Sequence, residues 1–308
     1  MLTLSDLVAP LAIDDFFAHH WPMQAFWDQS SAKRAAIFQD IPELQSAETA
    51  LSLPGRFGIF TGKGRVETTS DPTEALAAFR RGKTCFLHGE NIAALSRVRD
   101  SLTGELGLSS DAIRTEIFCS PAESGAQMHC DYDVNFAVLV RGRKLWRIAP
   151  NTHVDNPVAQ SFAALGEDAG GLTARLANRL PLPTQMPDDA ASLTLTDGGM
   201  VFVPRGWWHE TRTEAECMQV NFAVKSPMWL TVVTKALRNQ LLEDPAWRGY
   251  ALDIFAHGPR QDEAMEVLAS LLADLHGRIG ELVSDLAGPG AARRFLHDAG
   301  LHPADASD

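Results

Sequence analysis

Between Ala112 and Pro227 the chain breaks into short apolar runs, IRTEIFCS, NFAVLV, KLWRIAP, SLTLT, MVFVP and MQVNFAV, separated by Gly, Pro, Asp and Ser. Runs of about four to eight residues rich in β-branched and aromatic side chains, bounded by turn formers, make strands. The pattern predicts an antiparallel all-β unit, with RGRK a tight hairpin turn bending at Gly142. Residues 1–110 mix helix-like and strand-like segments. Asp71 as N-cap, Pro72 behind it and Gly82 at the far end frame one short helix. TCFLHGE reads as a strand and Asn91 to Leu106 as a second helix, while Pro22 interrupts any helix in FFAHHWPMQAFW. From Pro150 to Ala191 a Pro- and Ala-rich stretch without strand periodicity predicts an excursion over a barrel mouth, carrying one short helix near Leu172 to Leu180. After Pro227 the chain reads as helical, with a break at Gly288-Pro289-Gly290. The expected class is α+β with a mainly β core: a mixed region over 1–110, the β core over 111–228 and a helical region over 229–308.

Composition sets outer limits. The chain has 308 residues, 45% of them hydrophobic, enough for one large core or two domains. Its formal net charge of −12 argues against a nucleic-acid groove, which needs clustered Lys and Arg. No apolar stretch approaches the roughly 20 residues that span a bilayer, and the N-terminus lacks the basic start of a secretory signal. The four cysteines, Cys85, Cys119, Cys130 and Cys217, show no CxxC pairing and sit in apolar surroundings. Reduced thiols in a cytoplasmic protein are the simplest reading.

His129-Cys130-Asp131 places two metal-binding side chains two residues apart. On a strand such residues share a face, so both reach one ion. A third ligand, His209, follows in VFVPRGWWHE. Two imidazoles and a carboxylate make the facial triad of non-haem Fe(II) oxygenases, which leaves coordination positions open. A lone His-x-Asp is common by chance, so the flanking residues decide. Cys130 projects opposite the two ligands and belongs to the core.

Those flanking residues fall in a recognisable order. HCDYDVNFAVLVRGRKLWRIAP, with Asn135, Gly142, Lys144, Trp146 and Pro150, then DGGMVFVPRGWWHE and MQVNFAVKSP, resemble the JmjC/cupin-like 2-oxoglutarate oxygenases, especially the asparaginyl-hydroxylase-like and ribosomal-oxygenase-like branches. The likeness covers roughly Ile113 to Pro227. It implies a double-stranded β-helix, the jelly roll of cupins. It also implies Fe(II) held by His129, Asp131 and His209, with 2-oxoglutarate and O2 as co-substrates. Lys144 matches the lysine that takes the co-substrate's C5 carboxylate. On KLWRI it shares a face with Trp146 and Ile148, where a charge is costly unless paired. Asn135 and Asn221 match positions around the co-substrate, although either could instead bond backbone at a bulge. Where some relatives carry a hydroxyl residue three positions before the first histidine, this chain has Ala126, so the carboxylate's second hydrogen bond must come from elsewhere.

The implied reaction is hydroxylation of a C–H bond on an amino-acid side chain of a peptide or protein, or on a free amino acid. Demethylation of a methylated side chain, or a non-oxidative cupin holding Zn or Ni, are the competing readings. Tyr132, Trp208 and Glu116 are candidate substrate contacts, Glu116 being equally readable as an exposed charge. His88 and His153 are weaker candidates. In the C-terminal region Met265, Leu268, Leu272, Leu275, Ile279, Leu282 and Leu286 recur in steps of three and four, the spacing of helices packed nearly parallel, which predicts a homodimer.

Overall fold

The computed structural model describes residues 2–62, 64–163, 171–285, 293 and 296. The chain divides into two compact units, Met1–Ser226 and Pro227–Asp308.

The first unit opens with helices α1 (Leu4–Val8) and α2 (Ile13–His19), strand β1 (Phe26–Asp28), and helices α3 (Ala32–Gln39) and α4 (Ala47–Leu51). Strands β2 (Phe57–Gly62) and β3 (Arg65–Thr69), helix α5 (Pro72–Arg80), strand β4 (Cys85–His88) and helix α6 (Ala93–Glu105) follow. The expected cap is present on α5, where Asp71 Oδ1 accepts from the Thr73 N–H at 2.8 Å. The strands that build the site are β5 (Ile113–Ser120), β6 (His129–Cys130), β7 (Val134–Arg141), β8 (Lys144–Ala149), β9 (Ser161–Phe162), β10 (Ala191–Leu195), β11 (Met200–Val203), β12 (Trp208–Thr213) and β13 (Cys217–Val224), with helix α7 (Gly171–Arg175) between β9 and β10.

These strands form two sheets, an eight-stranded one in the order β1-β11-β7-β13-β5-β4-β2-β3 and a five-stranded one in the order β10-β8-β12-β6-β9. The pairings among described strands are all antiparallel. This is the jelly-roll arrangement of a cupin. Strand β13 is buried along its whole length. Its Met218, Val220, Phe222 and Val224 pack outward in one cluster with Leu4, Leu7, Phe16, Phe38 and Leu95 from the N-terminal helices. Truncating a ring such as Phe222, fully buried there, costs about 3–5 kcal/mol. The alternate residues Cys217, Gln219, Asn221 and Ala223 face the barrel. A second cluster, including Leu139, Trp146, Ile148, Leu193, Leu195, Val201 and Val203, fills the space between the sheets. Arg34, fully buried, ties the helices to the barrel by donating to the Ala9 and Gly198 carbonyls at 2.6 and 2.7 Å and pairing with Asp28.

Three expectations need correction. The RGRK turn is not a hairpin between partners: β7 pairs with β11 and β13, while β8 pairs with β10 and β12, so the turn carries the chain from one sheet to the other. Gly142 serves that crossing with φ +98°, where an added Cβ would lie 2.6 Å from the Glu216 carbonyl. The helix expected over Leu172 to Leu180 is shorter, Gly171–Arg175. The excursion also carries β9, paired to β6, which its composition did not signal.

In the second unit, α8 (Trp229–Leu241) and α9 (Pro259–Asp285) carry the expected helical character. Trp247 Nε1 donates to Asp274 on α9 at 2.9 Å, and Arg278 pairs with Asp274 at 2.6 Å. The expected break at Gly288-Pro289-Gly290 and residue Leu286 lie outside the described residues. No described helix is long and apolar enough to cross a membrane.

Candidate metal centre

His129 on β6 registers opposite His209 on β12. The two imidazoles therefore stand side by side on the inner face, with ring centroids 4.1 Å apart. Asp131 lies just past β6, which ends at Cys130. The shared strand face expected from the His-x-Asp spacing is thus not what aims the carboxylate. Amides aim it: Gln160 Nε2 donates to Oδ1 at 2.7 Å and Asn135 Nδ2 donates to Oδ2 at 3.1 Å. The Gly206 N–H also donates to the Asp131 carbonyl at 2.8 Å, tying the turn before β12 to this ligand. His129 Nε2 then sits 3.9 Å from Oδ1 and His209 Nε2 3.7 Å from Oδ2. One donor atom from each of the three residues lies within 4.8 Å of the others. Among the described residues this is the one such group of His, Cys, Asp and Glu.

Protonation is set by the surroundings. Nδ1 of His129 lies 2.7 Å from the Gln127 carbonyl, and Nδ1 of His209 lies 3.0 Å from the Trp207 carbonyl. A carbonyl only accepts, so each Nδ1 carries the hydrogen and each Nε2 presents its lone pair to the cluster. Burial, helped by the neighbouring His129, pulls the His209 imidazole down to about 4, which keeps it neutral. Burial raises the Asp131 carboxyl, but His129, His209, Gln160 and Asn135 outweigh it and hold it below the ordinary carboxylate range. Two imidazoles and one carboxylate suit a single divalent ion of the Fe(II) kind. Aromatic rings fix the imidazole planes: Phe162 stacks on His129 at 5.1 Å and Trp146 on His209 at 5.8 Å.

Deeper in the barrel, Lys144 is 5% exposed. Its Nζ sits 5.7 Å from the Trp146 ring centroid, and no carboxylate pairs with it among the described residues. Burial pulls its pKa below the ordinary lysine value. Among the described residues the buried Trp146 Nε1–H has no hydrogen-bond partner, nor has Gln219 Oε1 on the inner face of β13. An unpaired cation beside an orphaned N–H donor is a cradle that fits a carboxylate.

Asn221 and Asn135 neither bond backbone at a bulge nor face solvent. Asn221 Nδ2 donates to Asn135 Oδ1 at 3.0 Å and to Glu116 Oε2 at 3.4 Å, and Asn135 passes the bond on to Asp131. Glu116 is therefore half-buried beside the centre rather than an exposed charge, and burial pushes its carboxyl up. Tyr132 is half-buried beneath Lys225, whose Nζ is 4.9 Å from the ring centroid. Trp208 is misplaced by the sequence reading. It precedes His209 on β12, so it points to the opposite face, where it packs with Met128, Cys130, Ala149 and Met186 at 1% exposure. His88 ends β4 opposite Glu116, whereas His153 belongs to the excursion, its carbonyl accepting from the Asn178 N–H. Sequence reasoning missed Gln160 and Phe162, which lie in the aperiodic excursion, and the carbonyls of Gln127 and Trp207, which no side chain announces.

Known proteins share this architecture. The model of the cupin-like domain family matches residues 8–226. YxbC of Bacillus subtilis (strain 168) is 24% identical over 287 residues, covering 88% of this chain and 86% of its own length. The bifunctional lysine-specific demethylase and histidyl-hydroxylase NO66 of Drosophila persimilis is 22% identical over 332 residues, covering 96% of this chain and 44% of its own length, so this chain spans less than half of that relative. Among solved structures, the ribosomal oxygenase YcfD of Escherichia coli is similar with a TM-score of 0.51 at 13% identity, over 93% of this chain and 70% of that one. The same enzyme in complex with cobalt and succinic acid is similar with a TM-score of 0.50 at 15% identity, over the same shares. At such identity the structural likeness speaks for the fold, and the matching family model extends across the whole barrel and its N-terminal buttress: the chain belongs to the cupin-like domain family.

Proposed function

We propose that this chain is an Fe(II)- and 2-oxoglutarate-dependent oxygenase that hydroxylates a C–H bond on an amino-acid side chain of a peptide or protein. The observation that carries this reading is Lys144, a buried cation without a counter-charge among the described residues, in the same barrel as a His-Asp-His group able to hold one ion. A non-oxidative cupin holding Zn or Ni has no use for that lysine. The cobalt and succinic acid bound by the YcfD relative, and the hydroxylase and demethylase activities of NO66, support the same reading.

His129, Asp131 and His209 would hold the metal, while Lys144 and Trp146 would hold the C5 carboxylate of 2-oxoglutarate. Together with O2 these groups supply the oxidation of an unactivated C–H bond, with succinate and carbon dioxide as co-products. The chain's own contribution is orientation. Carbonyls hold both imidazoles in the ligating tautomer, Gln160 and Asn135 hold Asp131, and the apolar cluster around Trp146 and Ile148 limits water behind the site.

We also infer a cytoplasmic location, consistent with four buried free thiols, and a homodimer assembled through the Pro227–Asp308 unit. The enzyme assay is direct: purified protein with Fe(II), ascorbate and 2-oxoglutarate releases succinate, and Asp131→Ala abolishes release with the fold intact. Wild-type succinate release from iron-loaded Asp131→Ala would sink the assignment.

A further inference from the structure

We propose that Glu116 and the aromatic strip beside it form a substrate subsite that selects a cationic side chain, a guanidinium or an alkylammonium. The proposal rests on the oxygenase reading above and names its substrate class.

Glu116 on β5 registers with His88 on β4 and Asn221 on β13, so the three share the face that continues the barrel interior. Three successive hydrogen bonds lead from it to the metal-binding group: Asn221 to Glu116 at 3.4 Å, Asn221 to Asn135 at 3.0 Å and Asn135 to Asp131 at 3.1 Å. The first is at the outer limit of a hydrogen bond and leaves the carboxylate poorly satisfied. Arg114, two residues away on the same strand, is committed to Asp133 at 2.7 Å, and no ion pair reaches Glu116 among the described residues. Glu116 thus mirrors Lys144: among the described residues neither has an ion-pair partner, Glu116 half-buried on the wall and Lys144 buried deep in the barrel.

The surroundings specify that partner. Asp133 and Asn221 are more than nine-tenths buried, and among the described residues Asp133 Oδ1 and Asn221 Oδ1 have no hydrogen-bond partner. The orphaned Arg114 Nε is a lone donor among them, and His88 Nδ1, also unpartnered, can take either role. Acceptors awaiting donors point to an N–H-rich ligand. Phe86, Phe118 and Phe60 flank the carboxylate on the same side, Phe86 lying 5.3 Å from Phe118 and 5.9 Å from Phe60, with His88 at 5.5 Å from Phe86. All four rings are half-buried, leaving surface on which a cation can lie. Gly64, just before β3, then lies on the metal side. An added Cβ at Gly64, where φ is +69°, would lie 2.6 Å from the Phe162 ring, the ring that stacks on His129. A side chain lying along the strip is thereby led toward the metal.

The test uses the full chain loaded with Co(II) and N-oxalylglycine, the unreactive analogue of 2-oxoglutarate. Calorimetry compares peptides differing at one residue, arginine against citrulline and lysine against acetyl-lysine. We expect one cationic peptide to bind wild type at least about tenfold tighter than its neutral counterpart, the effect of one charge-assisted contact. Glu116→Gln, which keeps the size and an acceptor for Asn221, collapses that ratio toward one, and Glu116→Asp retains part of it. Equal binding or no binding of charged and neutral members, or a preference that survives in Glu116→Gln, overturns the subsite while leaving the oxygenase reading standing. Failure of wild type to bind Co(II) and N-oxalylglycine overturns the oxygenase reading itself.

Discussion

Asn135 Nδ2 donates to Asp131 Oδ2 at 3.1 Å, and Asn135 Oδ1 accepts from Asn221 at 3.0 Å, so the amide can adopt only one orientation. Both hydrogen bonds run toward the carboxylate, which makes Asn135 one of the two residues, with Gln160, that hold Asp131. Asn135→Ala should weaken Co(II) or Fe(II) binding by about 10–100-fold, the usual consequence of losing a partner of a metal ligand. Asn135→Asp should weaken it further, because a second carboxylate repels the first. Metal titrations with circular dichroism as a fold control check both. Unchanged affinity in Asn135→Ala would mean that Gln160 alone positions the ligand.

Lys144 and Trp146 separate charge from geometry. Lys144→Ala should raise the dissociation constant for 2-oxoglutarate about tenfold to a hundredfold, the value of a charge-assisted bond to a buried carboxylate. Lys144→Arg should recover only part, because a planar fork fits a lysine slot poorly. Trp146→Phe keeps the ring over His209 but removes the orphaned N–H, so it should raise the same constant about threefold to tenfold with metal affinity unchanged. Equilibrium binding of 2-oxoglutarate to the metal-loaded protein reads all three variants, and an unaltered constant in Trp146→Phe would remove the indole from the cradle.

The parts of this site that sequence announced are those written in periodicity or in residue chemistry. His129, Asp131 and His209 are identifiable because a metal needs those residue types close together, and Lys144 because its segment resembles the oxygenases' co-substrate strand; the structure brings all four into one barrel. Alternation also placed Cys130 outward; applied to Trp208, one residue before a ligand, the same rule would have placed it outward too. What sequence hid is long-range pairing. RGRK reads the same whether it closes a hairpin or crosses between sheets, because the difference lies in where β11 and β12 arrive from. Gln160 holds a ligand from a segment without periodicity, and only the register of β9 on β6 brings it there.

Glu116 gives the stability of the ligand-free protein a pH signature. Burial, against the opposing pull of Arg114, raises its pKa above the ordinary glutamate value of 4.5. The folded protein therefore holds this proton more tightly than the unfolded chain, and stability falls as pH rises through the window that opens near 4.5. Below that window both states are protonated and the burial costs nothing in charge. Glu116→Gln removes the ionisation, so it should raise the melting temperature at pH 7 to 8 and lose that advantage near pH 4. Arg114, Asp131 and Asp133 face the same carboxyl and remain in both proteins, so the difference isolates Glu116. Equal melting temperatures across the whole range would show a carboxylate already satisfied.

The second unit carries the remaining prediction, a homodimer. On α9, Met265, Leu268, Leu272 and Ile279 keep the three-and-four spacing yet remain 39–54% exposed, and Val267 beside them is 62% exposed. On α8, Trp229 is 80% exposed, Leu230 68% and Val233 48%, and Phe255 between the helices is 89% exposed. We propose that so much apolar surface in one unit is an association face. A second copy is the partner in view, because a regular heptad-like stripe is complementary to itself when two copies pack with two-fold symmetry. A Cβ at Gly277 would meet nothing within 4 Å in the single chain, although glycine weakens a helix by about 1 kcal/mol relative to alanine. Close approach of a neighbouring helix would account for it. Light scattering at micromolar concentration should give twice the chain mass of 33.5 kDa, and Leu272→Asp combined with Trp229→Asp should return the monomer. A monomer mass for wild type, unchanged in the double variant, would rule the dimer out.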